Sequence, residues 1–486
     1  MFNNPAIPKK ILPLFMRKKN SRQVFENIEV IDAGAKGKAI AKAPDGRVIF
    51  LQNAIPGDVV TVQTTKKRKA YFEGVATNFH VLSDRRTAPK CKHFESCGGC
   101  KWQHMEYDSQ LFYKQREVEN NLKRIGHLSI PEVLPILGSA SQYYYRNKME
   151  FSFSDSRWLY PEELKQDQRI EDKNALGLHM PGMWDKVLDL DECHLQPHPS
   201  DAIRLEIKQF ATRNNFAFFN PRSQTGLLRT LMIRTSSTGE IMVLVQFAED
   251  DSSARKLLLN HIIDKFPEVT SLLYVINRKK NDTLFDQEVL CYHGKDHIWE
   301  SMEGLKFRIN AKSFYQTNSE QAYVLYKVVR EFAGLKGKEL VYDLYTGTGT
   351  IALFLARNAG KIVGIEVVPE AISAAITNAR DNGISNAEFI VGDMKTALND
   401  SIVEQHGIPD VLITDPPREG MHKDVVSQIL KISPKRIVYV SCNSATQARD
   451  LEMIKEKYDI LKVQPVDMFP QTHHVENVVL LEKRMD

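Results

Sequence analysis

A chain of 486 residues has room for roughly three domains of about 150 residues each, which excludes a small module stapled by disulfides. Its 42% apolar and 26% charged residues are those of a folded globular protein, and no apolar run, ILPLF and VVLL included, approaches the roughly 20 residues of a membrane span. The net charge of +4 decides little, but its distribution is uneven: residues 1–24 carry six basic residues and no acid, residues 61–92 carry eight basic against two acidic, and the remaining body is mildly acidic, so the N-terminal end is set to meet a polyanion.

In chain order, residues 1–24 read as a basic flexible tail. They lack the apolar core and small-residue cleavage site of a secretory signal, and a transit peptide is the less favoured reading of the same composition. Residues 25–82 alternate β-rich runs (RVIFL, DVVTVQT, YFEGVA) with Asp-Gly and Pro-Gly turns, which predicts a five-stranded OB-like β-barrel. Lys66, Lys67, Arg68 and Lys69 adjoin Tyr71 and Phe72 there, a composition that suits single-stranded nucleic acid, with at least one of the two rings expected in the core.

Residues 83–310 form a mixed α+β central domain without a clear repeat. LFYKQREVENNLKRIG predicts an amphipathic helix, and YYYRNKMEFSFS, GLLRTLMIRTS and EIMVLVQF predict strands, with Arg146 and Lys148 on one strand face. Three of the six cysteines lie close together in CKHFESCGGC. That spacing gathers the thiols of Cys91, Cys97 and Cys100 in one tight loop and predicts a metal centre one ligand short, which Cys193 in DECHL is best placed to complete. Spacing alone leaves zinc and iron–sulfur both open.

From residue 311 to 486, the short apolar runs LVYDLY, KIVGIEVV, AEFIVGD, DVLITDPP and RIVYVSCN alternate with helical stretches. This is the pattern of a doubly wound, Rossmann-like parallel sheet, whose ligands bind beyond the strand carboxyl ends. DLYTGTGT supplies a glycine turn without the third glycine of the dinucleotide fingerprint, so a dehydrogenase fits poorly and an S-adenosylmethionine user fits better. Glu366 ends the second strand, where a carboxylate can hold ribose hydroxyls, and Asp415 stands at the mouth in TDPPREG. Cys442 opens a helix, whose dipole is expected to lower its pKa toward that of a nucleophile. Glu476 follows His473 and His474 and has the character of a base.

CKHFESCGGC, the later CHL, AKSFYQTN, DLYTGTGT, GIEVVPEAI, TDPPREG, YVSCNSATQARDL and FPQTHHVE together resemble, in order, the RNA uracil-C5 methyltransferase family, specifically its iron–sulfur group acting on 23S ribosomal RNA, with a TRAM domain at its front. The resemblance implies an S-adenosylmethionine-dependent methyltransferase domain at residues 311–486, a TRAM RNA-binding barrel at 25–82 and an iron–sulfur cysteine loop in the domain at 83–310. It further implies that Cys442 adds to uracil C6, that Glu476 removes the C5 proton, and that Gln316, Tyr345, Thr350, Glu366, Asp393 and Asp415 surround the cofactor or the reacting base. Cys91, Cys97, Cys100 and Cys193 would hold a [4Fe-4S] cluster. The implied partner is RNA, 23S ribosomal RNA first and transfer RNA as the alternative, for a cytoplasmic monomer with no membrane association and no obligate protein partner. A redox-sensing RNA-binding protein without methyl transfer is the alternative of a different class. Ser444, Thr346 and Thr350 depart from residues common in the family (Pro, Cys and Asn), and Cys291 matches no motif and is expected to be packing.

Overall fold

The computed structural model describes residues 22–164 and 172–485, so nearly all of the basic tail lies outside the described residues. β1 (Val24–Gly34), β2 (Lys38–Lys42), β3 (Val48–Gln52), β4 (Val59–Lys67) and β5 (Tyr71–Val81) close a barrel in the order β1-β2-β3-β5-β4. Alternating side chains, among them Val30, Ile49, Leu51, Val60, Val62 and Phe72, fill its interior, as a period of two requires. Phe72 is thus core, with the Arg47 guanidinium 4.1 Å from its ring centre, and of the two aromatics only Tyr71 reaches the surface. Arg47 also donates to the Arg68 carbonyl, which sets the 43–47 turn beside the basic β4–β5 tip. The Ala35–Gly37 turn lies at the other end of β2 and meets the rest of the chain: Lys101 Nζ donates to Lys36 O at 3.1 Å.

β6 (Lys148–Ser154), β7 (Ala175–His179), β8 (Val187–Asp189), β9 (Leu228–Thr235), β10 (Ile241–Phe247), β11 (Val269–Ile276) and β12 (Leu290–Gly294) form the central sheet, in the order β12-β11-β10-β9-β6-β7-β8. Every residue of β10 is buried, which is why it reads as an unbroken apolar run. Arg146 precedes β6 instead of sharing a strand face with Lys148, although both line one cavity. Cys291 is exposed on the edge strand β12, so it is not a packing residue. A hairpin of β13 (His297–Met302) and β14 (Leu305–Asn310) joins this sheet to the next through a continuous core containing Met242, Phe307 and Val341.

β15 (Leu340–Leu344), β16 (Lys361–Glu366), β17 (Ala387–Val391), β18 (Val411–Thr414), β19 (Arg436–Ser441), β20 (Tyr458–Val466) and β21 (Glu476–Lys483) lie in the order β17-β16-β15-β18-β19-β21-β20. The sheet is parallel as far as β19, and β21 then runs antiparallel to both of its neighbours. Alternate residues serve two cores: Val341 packs with the helices Ser319–Ala333 and Thr350–Ala356, whereas Tyr342 and Leu344 pack with Lys423–Ile432 and Ser444–Ile454. The second face also receives Val118 and Leu122 of the helix Tyr107–Arg124, from far upstream in the chain. Strand order reverses at β15, and at such a switch point the loops beyond neighbouring strands part to leave a crevice.

Among the described residues, no helix is long and apolar enough to cross a membrane.

Candidate active site

The crevice is built on the turn after β15. Tyr345 takes a left-handed φ of 62°, a conformation that a non-glycine residue holds only under strain. Thr346 Oγ1 donates to the buried Asp343 carboxylate at 2.5 Å, and the Gly347 N–H donates to Glu366 Oε2 at 3.2 Å. The Val367 and Val368 N–H groups donate to the other Glu366 oxygen at 2.8 and 3.0 Å, so this carboxylate is oriented before any ligand arrives. Gly347 (φ 56°) has open space where a Cβ would stand, whereas a Cβ at Gly349 would lie 3.0 Å from Ala375 and Phe389. One glycine thus admits a ligand, and the other lets the helix at Thr350 pack onto the sheet.

Asp393 caps the short helix Met394–Ala397 through the Lys395 N–H and, with Tyr345 and Val367, borders a cavity of about 570 Å³. Thr350 receives the Tyr326 hydroxyl at 3.5 Å. The AKSFYQTN segment closes the other flank: Thr348 Oγ1 donates to Phe314 O at 3.4 Å, and Asn147 Nδ2 donates to Gln316 O at 2.9 Å. Phe314 is 71% exposed, an apolar ring facing solvent beside the crevice that no sequence period marks as special.

Cys442 and Glu476 meet because β21 is antiparallel. Ser441 pairs with Asn477, so the last residues of β19 and the first of β21 share one rim, and Asp415 directly follows the neighbouring β18. Glu476 is only 6% exposed; burial and the nearby Asp415 push its pKa up to about 8 against the opposing pull of Arg418. Burial, with Asp343 close by, pushes Asp415 up to about 7. Asp343, desolvated in turn, rises to about 7. Cys442, half-buried, rises to about 12 through burial, Glu476 and Asp415, while Arg418, which hydrogen-bonds its side chain, pulls the other way.

The expectation that a helix terminus would lower the Cys442 pKa is therefore corrected. Two neighbouring carboxyls and desolvation outweigh a helix start already capped by the Asn443 side chain. Arg418, missed as a functional residue, is the second residue after Pro416 in TDPPREG, and its carbonyl is tied down by Asn443 Nδ2 at 2.9 Å and Thr446 Oγ1 at 3.1 Å. The His473 and His474 rings lie 4.1 Å apart at their centres, tilted by 36°, and burial together with surrounding cations holds them at about 3 and about 4.

These shifts carry a pH dependence. An acid whose folded pKa is raised keeps its proton in the native state, so stability is full below the unfolded pKa and is lost as pH rises through the folded value. The lowered histidines act with the opposite sign, but only up to their unfolded value near 6.5. Between about pH 6.5 and 8 the raised carboxyls Asp343, Asp415, Glu117 and Glu476 release their protons while the histidines no longer oppose them, so the urea midpoint of the ligand-free chain should fall across that window. A flat or rising midpoint would contradict the raised state of these acids.

Away from this rim, Cys91, Cys97, Cys100 and Cys193 all line one cavity of about 390 Å³, together with Arg146, Lys148 and His194. All four are free thiols. Burial raises each of them, Cys97 to about 11 and Cys100 to about 12, so thiolates at these positions need a cation to offset them. Among the described residues, no three His, Cys, Asp or Glu side chains are arranged as the site of a single metal ion.

The model of the tRNA (uracil-5-)-methyltransferase family matches residues 273–484, and that of the TRAM domain matches residues 22–77. An uncharacterized RNA methyltransferase of Bacteroides thetaiotaomicron is 57% identical, the match covering 93% of this chain and 100% of its own. Another, of Porphyromonas gingivalis, is 54% identical over 94% and 100%. Among solved structures, the Pyrococcus abyssi tRNA (uracil-54, C5)-methyltransferase in complex with S-adenosyl-L-homocysteine superposes with a TM-score of 0.72 at 27% identity, covering 93% of this chain and 100% of that one. With near full-length relatives at more than half identity and these two matching models, the chain belongs to the RNA uracil-C5 methyltransferase family as an S-adenosylmethionine-dependent RNA methyltransferase.

Proposed function

We propose that this enzyme methylates C5 of a uridine in 23S ribosomal RNA through a transient bond between Cys442 and C6 of the base. The observation that carries the reading is the meeting of Cys442, Glu476 and Asp415 on one rim through the β19–β21 pairing. Uracil C5 is too poor a nucleophile to be alkylated directly. Addition of the Cys442 thiolate to C6 turns C5 into an enolate carbon, and the Arg418 guanidinium favours the thiolate from which that bond forms. S-adenosylmethionine, when bound, supplies the electrophilic methyl group. Glu476 as carboxylate then takes the C5 proton, the C5–H electron pair re-forms the C5–C6 double bond, and Cys442 leaves C6.

The residues around the β15 turn fit that cofactor. Glu366 presents a pre-oriented carboxylate, Gly347 leaves open space, Asp393 and Tyr345 border the cavity beside it, and the buried Asp343 and the partly buried Asp415 favour a cationic ligand. Gln316 and Thr350 would complete its surroundings. The target uridine must leave its stack to reach so enclosed a rim, which gives an RNA-gripping barrel its purpose.

The four cysteines would hold a [4Fe-4S] cluster. Four thiols lining one cavity, each raised by burial and so in need of a cation as thiolates, supply the ligand set that such a cluster takes. Its part is to order the surrounding loops, with no redox step in methyl transfer.

Transfer RNA is the second reading, favoured by the substrate of the Pyrococcus abyssi neighbour and by the description of the matching family. Mapping 5-methyluridine in ribosomal and transfer RNA from a deletion strain separates the two. Loss of one 23S site is the expected result, loss of a transfer RNA site names the alternative, and intact 5-methyluridine in both overturns the proposal.

A further inference from the structure

The loop that leads into Glu476 is held from outside its own sheet. Residues 467–475 connect β20 to β21, and their backbone carbonyls are captured one after another: Met468 O by Asn318 Nδ2 at 3.0 Å, Phe469 O by Lys114 Nζ at 3.1 Å, Pro470 O by the Tyr145 hydroxyl at 2.9 Å, and Gln471 O by the Lys101 and Trp102 N–H groups at 2.9 and 3.1 Å. Lys114 and Asp467 add a fully buried ion pair at 2.6 Å. Gln471 sits at the apex, 3% exposed, with a left-handed φ of 67° that a non-glycine residue holds only where its surroundings impose it.

Those surroundings centre on Gln110, fully buried on the helix Tyr107–Arg124. Its Oε1 accepts the Gln471 N–H at 2.9 Å, and its Nε2 lies 3.0 Å from Gln471 Oε1, 3.0 Å from Trp102 O and 2.8 Å from Met105 O. One amide thus engages both ends of Gln471 while gripping the segment that directly follows Cys100. We propose that Gln110 is a positioning residue for methyl transfer: through Gln471 it fixes the loop that delivers Glu476 and locks the thiol-lined loop and the catalytic rim into one body. The inference rests on the reading of Glu476 as the base. It also gives the cysteine loop a mechanical task, because Lys101 and Trp102 carry the position of Cys100 directly to Gln471.

The test uses the full-length enzyme and the transcript that it methylates. Gln110→Met, close in shape and without the amide, should lower kcat about 10- to 100-fold with KM for S-adenosylmethionine unchanged. It should also accumulate an SDS-resistant protein–RNA adduct at temperatures where the variant remains folded, because the adduct forms at Cys442 while the displaced loop fails to remove the C5 proton. Gln471→Gly in that background should restore turnover, since glycine takes the left-handed turn without help. Wild-type kcat with no adduct, or a slow variant that glycine does not rescue, overturns the proposal. Should Gln110→Met fail to fold, Gln471→Met removes only the contact between the two side chains, and its kcat and adduct level, without the glycine rescue, decide in its place. Glu476→Gln is the control: if that variant turns over normally, the reading of the base has failed, whereas a trapped Glu476→Gln beside a normal Gln110→Met sinks only the present inference.

Discussion

Cys442→Ala should abolish methyl transfer, with turnover at least about 10⁴-fold below wild type, while the variant folds and binds RNA as before. The expected loss is large because without the thiolate no bond forms at C6, and C5 keeps the low nucleophilicity of an aromatic amide. Folding should be spared, since Cys442 is half-buried at a strand end beside Arg418, outside the packed layers on either side of the sheet. Burial, Glu476 and Asp415 hold the resting thiol up near 12, so the chemistry requires RNA and cofactor binding to change its surroundings. Replacement of nearby carboxyl repulsion by the positive charge of a bound sulfonium would act in that direction. Single-turnover methyl transfer and filter binding measured on the same preparation decide the matter, and retained methylation by the alanine variant would refute the covalent route.

Glu476→Gln should stop the reaction one step later. The amide matches the carboxyl in shape and cannot accept the C5 proton, so turnover should fall about 10²- to 10⁴-fold while a methylated adduct between Cys442 and RNA accumulates. Its pKa, pushed up to about 8 by burial and Asp415, makes the carboxylate a stronger base near neutral pH than an exposed glutamate would be. An SDS gel of the reaction with radiolabelled RNA shows the trapped species directly. The same substitution removes a titrating acid, so the fall in stability between about pH 6.5 and 8 should become shallower. Normal turnover would place the base elsewhere, and lost turnover without any adduct would move the role of Glu476 to an earlier step.

Much of the fold is legible in the amino-acid sequence. The alternation in RVIFL and DVVTVQT marked barrel strands because a closed barrel buries every second residue, and DLYTGTGT, GIEVV and VSCNS marked strand ends because a parallel sheet places its ligands there. What local pattern misled was electrostatic. Cys442 before a helix suggests a lowered pKa, yet the neighbours that raise it, Glu476 and Asp415, lie 34 and 27 residues away in the chain. That at least one of Tyr71 and Phe72 belongs to the core was legible beside the basic run, and the register of β5 decided that it is Phe72.

The sequence by itself determined the element types, the barrel followed by an α/β sheet, and the candidates for the reacting groups, because each depends on periodicity or on residue chemistry within a short window. Only the tertiary structure decided which groups meet. The antiparallel β21 set Glu476 beside Cys442, the upstream helix Tyr107–Arg124 clamped the loop before Glu476 through Gln110 and Lys114, and four cysteines more than ninety residues apart at their extremes came to share one cavity. Such contacts arise from strand direction and from the burial of distant apolar faces, neither of which leaves a period in the local sequence.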